Sequence, residues 1–179
     1  TDGSYSYGID ANFEYAQVVV EGNVNVTGEQ SVGVVANSRA IVTVDGSITV
    51  NGEQSYGIKA YDQGEATVLE DVTASGEYST GIYSADAYIF VYGDVTGDAA
   101  GVNTLSSSIY ISGNVRALNL REFCYGVNVE DYSSVYIGGN LESQAIGVLI
   151  PRLSSDDDLY VAIDGVIEAP YCYIQMVER

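Results

Sequence analysis

Two stretches, "VEGNVNVTGEQSVGVVA" from Val20 to Ala36 and "VDGSITVNGEQSYGIKA" from Val44 to Ala60, are one phrase written twice, 24 residues apart. Its skeleton runs on through the chain. A Gly followed by Ile or Val recurs at Gly8, Gly33, Gly57, Gly81, Gly101, Gly126 and Gly147, and a degenerate copy stands at Tyr173-Ile174. A second anchor is an alternating apolar pair, a turn residue and a third apolar residue. It reads Val18/Val20/Val24, Val42/Val44/Ile48, Ala66/Val68/Val72, Ile89/Val91/Val95, Ile109/Ile111/Val115, Val135/Ile137/Leu141 and Val161/Ile163/Ile167.

The step between the second and third of these positions is four residues in all seven copies, whereas the step to the next Gly varies from six to eleven. Rigid strands joined through an elastic corner describe a solenoid with turns of 20 to 26 residues. Period-two alternation over short runs of Val, Ile and Tyr, broken by "GN", "GS" and "GD", marks strands separated by turns. A sandwich also uses many short strands, but it does not require equivalent residues at equivalent places in each repeat. Parallel stacking at about 4.8 Å per rung does, because identical positions become neighbours. The expected fold is all-β: a single parallel, right-handed β-helix of about seven rungs, each with three short strands. Its core is formed by the Val and Ile columns together with Ile9, Val34, Ile58, Ile82, Val102, Val127 and Val148.

At 179 residues with 46% hydrophobic content, the chain can bury one ordinary core. It opens inside a repeat copy, at "SYSYGIDA", and is expected to be one domain over residues 1–179 belonging to a longer protein. Its 25 acidic residues against six basic ones leave a net charge of −19. Such a surface repels nucleic acid and anionic lipid, so neither is expected as a partner. No run of 18 apolar residues exists to insert into a membrane. With no histidine and two widely separated cysteines, most transition-metal sites and histidine general acid/base chemistry drop out. Cys124 and Cys172 should lie two rungs apart, about 10 Å, too far for a disulfide between them.

The phrase G[NSD][VI], carried by Gly22-Asn23-Val24, Gly46-Ser47-Ile48, Gly93-Asp94-Val95, Gly113-Asn114-Val115 and, with Leu, Gly139-Asn140-Leu141, alternates along the chain with the Gly-[VI] anchor, which is preceded as Ser-x-Gly at Ser6, Ser31, Ser55 and Ser79. This pattern resembles the β-solenoid repeat regions of large bacterial surface proteins, the autotransporter-passenger-like and adhesin-like stalks. The resemblance implies an extracellular or cell-surface location and a non-enzymatic role as stalk or adhesive surface. It fades in "APYCYIQMVER", which has lost both the Ser and the Gly. Pectin-active lyases and hydrolases are similar in architecture, so a carbohydrate-binding or polysaccharide-active solenoid is the alternative. A lyase of that kind needs a basic residue beside calcium-binding carboxylates. The basic residues here are Arg39, Lys59, Arg116, Arg121, Arg152 and Arg179, and none recurs beside an acidic cluster. A hydrolase needs two opposed carboxylates, which the abundance of acids leaves open.

Strand alternation assigns outward positions as firmly as inward ones. Tyr88, Phe90, Tyr92, Tyr110, Tyr136 and Tyr160 are expected to form one exposed aromatic face, with Phe90, Tyr110 and Tyr136 stacked on consecutive rungs. Exposed aromatic patches mark interaction sites, and tyrosine rows suit a glycan or a protein surface; the competing role is to strengthen the sheet. The "GEQ" corner yields a carboxylate column, Glu29, Glu53 and Glu77. Like charges about 5 Å apart repel by roughly 0.8 kcal/mol in water and about 3 kcal/mol at an effective dielectric of 20. The side chains therefore either splay into solvent or hold a weakly bound cation, for which Ca2+ is the natural candidate and the only cofactor expected. Asp156-Asp157-Asp158 reads as a solvated loop. The Ser-x-Gly columns (Ser6, Ser31, Ser55, Ser79) are expected to form a flat face of small residues, with Cys124 replacing the serine in its rung.

Overall fold

The computed structural model describes residues 3–120, 124–151 and 158–171. Arg121, Arg152, Arg179, Asp156, Asp157, Cys172 and the degenerate Tyr173-Ile174 copy lie outside them. The described residues form a parallel β-solenoid of three seven-stranded sheets, without a helix, closing about six turns with a period near 24 residues. One rung shows the path. Val32–Ala36 lies in sheet 1, Ile41–Val44 in sheet 2 and Ile48–Asn51 in sheet 3; the chain then re-enters sheet 1 at Tyr56–Tyr61. Every strand pairs in parallel with its equivalents one repeat away, as Val34 does with Ile9 and Ile58.

The four columns expected from the repeat are the four that stack. Val42 lies on Ala66, Val44 on Val68, Ile48 on Val72 and Val34 on Ile58, and all eight side chains are buried. Two further inward columns complete the core: Ala36, Ala60, Ser84, Thr104 and Val129 in sheet 1, and Val26, Val50 and Ala74 in sheet 3. Burial of a Val or Ile side chain contributes about 1.5–3 kcal/mol. Ser84 and Thr104 interrupt the apolar column by pairing with each other, Oγ to Oγ1 at 3.2 Å, which leaves neither hydroxyl bare in the core.

The turn between sheets 2 and 3 explains the "GN" dipeptide. Asn23 Oδ1 accepts the backbone N–H of Ser47 one rung on, at 2.9 Å. Asp71 serves Asp94 at 2.8 Å, Asp94 serves Asn114 at 2.8 Å, Asn114 serves Asn140 at 2.8 Å and Asn140 serves Val166 at 2.9 Å. This ladder satisfies turn N–H groups that no strand reaches. The glycine before each step makes room for it: a Cβ on Gly113 would fall 2.5 Å from Asp94 Oδ1, and one on Gly139 2.6 Å from Asn114 Oδ1. The single exception supports the cause. Glu70 occupies the glycine place where the rung before offers the short Ser47, whose hydroxyl lies 2.9 Å from the Glu70 carboxylate.

The corner from sheet 3 to sheet 1 corrects the expected flat Ser-x-Gly surface. Ser31, Ser55 and Ser79 are fully buried. Ser55 Oγ accepts the Ser31 N–H at 3.1 Å, Ser31 Oγ accepts that of Ser6 at 3.1 Å, and both hydroxyls lie within hydrogen-bond reach of carbonyls in their own corner. The serines point in because the corner needs polar partners for backbone groups that leave the ladder. The following glycine closes the corner: a Cβ on Gly57 would fall 2.5 Å from Val72 Cγ1 and 2.6 Å from the Gly81 carbonyl. Cys124, at the serine place of its rung, is buried as well.

Candidate functional site

Sheet 2 carries the predicted aromatic face. Its inward residues Ile89, Val91, Ile109, Ile111, Val135 and Ile137 are buried, and alternation turns Tyr88, Phe90, Tyr110 and Tyr136 outward, with Tyr92 just beyond the strand. Register places Phe90, Tyr110 and Tyr136 in one column. The rings of Tyr110 and Tyr136 stack, their centroids 5.1 Å apart and their planes inclined by 8°. Below Tyr110 the ring partner is Tyr92, at 6.1 Å and 56°; Phe90, half-buried, makes no ring contact among the described residues. The expected Phe90–Tyr110–Tyr136 stack is thus a Tyr92–Tyr110–Tyr136 row. Tyr92 stands at the strand's end, where it is free of the backbone spacing that holds Phe90 in register.

Tyr88 and Tyr160 are exposed but stand in the adjoining column, separated by Ser108 and Ser134. Three rung steps set them about 14 Å apart, so they flank the row without joining it.

Charged groups fix the row at its margin. The Tyr136 hydroxyl donates to Asp164 Oδ2 at 2.6 Å, and this bond, with some desolvation, raises the phenol's pKa above its ordinary value. Two residues after Tyr92, Asp94 meets Arg116 at 2.7 Å, and Arg116 Nε lies 3.4 Å from Glu142 Oε2. Desolvation works against the Asp94 charge, but hydrogen bonds from the Asn114 backbone, Arg116 and the Asn114 amide outweigh it and hold the carboxyl below its ordinary value. That direction suits an ion pair and opposes a proton donor. Sequence reasoning did not single out this triad. The signal was there in Thr96, Arg116 and Glu142, which occupy one outward column of sheet 3.

Glu29, Glu53 and Glu77 form the expected column at the sheet 3 to sheet 1 corner, and all three side chains are exposed. Their carbonyls accept from Tyr5, Gln30 and Gln54 at 2.9, 2.8 and 2.8 Å, so the backbone of this column is committed to the corner. Among the described residues, no group of three or more His, Cys, Asp or Glu is arranged to hold a metal ion. No helix of the described residues is long and apolar enough to cross a membrane.

The geometry defines the class as a parallel β-solenoid with an exposed tyrosine row. Comparison with protein-family models, with curated proteins and with solved structures finds no match for this chain.

Proposed function

We propose that this solenoid is a non-catalytic interaction module of an extracellular or cell-surface protein, serving as stalk and adhesive surface, with the Tyr92–Tyr110–Tyr136 row as its contact face. The observation that carries the reading is the stacked pair Tyr110–Tyr136, 5.1 Å apart on the outside of a sheet that is already complete on its inside. The core does not need these rings, and aromatic side chains exposed in a row present a large contact area at low conformational cost. The row runs along the solenoid axis, so an extended glycan or a protein strand can lie across successive rungs. The surface acids at its edge, Asp94 and Asp164, are engaged by Arg116 and Tyr136, which supports an anchoring role for them over a chemical one.

Binding of the parent and of a Tyr110→Ser/Tyr136→Ser variant to glycan and cell-surface arrays tests the proposal. The parent should bind and the variant should lose the signal while keeping its β-sheet circular dichroism. Equal binding by both makes the row structural. Polysaccharide panels assayed for new reducing ends or unsaturated products test the non-catalytic part, and turnover there overturns it.

A further inference from the structure

A second set of tyrosines lies on sheet 1, on the other side of the molecule's sequence pattern, and is arranged differently. The outward column of its first four rungs reads Tyr7, Val32, Tyr56, Thr80, large and small in alternation. The neighbouring corner column reads Tyr5, Gln30, Gln54, Tyr78, all four in the left-handed region with φ between 53° and 63°. Together with Lys59 these residues, Thr80 excepted, line an open surface hollow of about 470 Å³, a volume within the range usual for small-ligand sites, about 300–1,000 Å³. Val32 is its floor. Tyr7 and Tyr56 stand two rungs apart, about 9.6 Å at 4.8 Å per rung. One flat ring held between two others needs about 7 Å, two contacts of about 3.5 Å. The alternation thus leaves a shallow slot at the surface, above the buried Val32.

The polar lining has a definite character. Gln30 Nε2 donates to Gln54 Oε1 at 3.3 Å, which leaves amide donors and an acceptor on the same rim for hydroxyl groups. Lys59 is the only lysine of the chain. Its Nζ rests 5.0 Å from the centroid of Tyr56 and 5.8 Å from that of Tyr83, two rings that meet edge to face at 5.9 Å. On a surface with 25 acidic residues, no carboxylate of the described residues lies within 4.0 Å of it. Cation–π contacts hold the ammonium in place without satisfying its charge.

We propose that this slot binds a carboxylated sugar: a pyranose ring seated between Tyr7 and Tyr56, its hydroxyls on Gln30 and Gln54, its carboxylate on Lys59. A net charge of −19 repels polyanions, so the fitting ligand carries an isolated uronic-type acid within an otherwise neutral glycan. The site is separate from the tyrosine row of sheet 2, and its test is independent of that row.

Titration with the methyl glycosides of glucuronic acid and of glucose, on the whole chain, measures the two parts separately. The parent should bind the glucuronide about two- to fivefold more tightly than the glucoside, the range of one partly exposed ion pair. Lys59→Gln should abolish that preference, while Lys59→Arg keeps it. Tyr56→Ser should weaken both sugars, and Tyr136→Ser neither. No binding of either sugar by the parent, equal binding of the two, or a preference that survives Lys59→Gln overturns the proposal.

Discussion

The two tyrosine faces are built from the same residue on the same kind of strand, and they differ in one respect. On sheet 2, tyrosines follow each other on consecutive rungs, and at 5.1 Å the rings of Tyr110 and Tyr136 close on one another. On sheet 1, Tyr7 and Tyr56 are separated by the buried Val32, and a shallow hollow lies over the column. In a solenoid the rung spacing is constant, so the period of a column decides what it does: period one fills a surface with stacked rings, and period two leaves slots between them. Tyr125, further along the sheet 1 column, shows a third outcome. It is largely enclosed, and burial first, then the Glu130 charge, pushes its hydroxyl up to about 12.

Four substitutions break or sharpen this contrast. The largest effect is expected from Gly57→Ala, which sets a methyl against Val72 Cγ1 and the Gly81 carbonyl in the strand that carries Tyr56 and Lys59. It should cost about 2–3 kcal/mol, read as a lower denaturation midpoint, and should remove sugar binding at the slot. Tyr110→Ser takes away the ring between Tyr92 and Tyr136 and should cost about 1 kcal/mol. The same experiment should show loss of the coupled tyrosine signal in near-ultraviolet circular dichroism. A stability equal to that of the parent would mean that the row contributes nothing to the sheet.

Arg116→Gln addresses the clamp beside the row. The folded pKa of Asp94 lies below its ordinary value of 3.8, so its charge favours the fold above that pH. This contribution is lost as pH falls through the depressed folded value. Without Arg116 the folded pKa should rise toward 3.8, so Asp94 contributes less stability above that pH and the acid unfolding midpoint moves to higher pH. The pair is about one-third exposed, so the effect at neutral pH stays below about 1 kcal/mol. Acid titration followed by circular dichroism on both proteins reads the shift. Val32→Tyr turns the alternating column of sheet 1 into a continuous one. Val32 is buried, so the larger side chain should cost about 1–3 kcal/mol, while the new ring fills the slot and abolishes binding there. Retained binding in Val32→Tyr would sever the link between column period and site.

The sequence itself carried the rungs, the three strands per rung and four of the inward columns. The reason is physical: parallel stacking makes residues about 24 apart neighbours, so a repeated phrase is a contact map. Alternation likewise placed Tyr88, Phe90, Tyr110 and Tyr136 on the outside, since a strand leaves no choice once Ile89 and Ile109 are inside. Details set by corners were not legible. The serines of Ser-x-Gly read as a surface and turned out buried, because their direction depends on where a bend leaves unpaired N–H groups. Tyr92 displaced Phe90 from the ring row because a residue past the strand's end is not held to the strand's spacing. The slot at Lys59 needed two adjacent columns, one on a strand and one in a left-handed corner, to converge on a common hollow. Periodicity determines which residues share a column; only the folded corner decides which columns face each other.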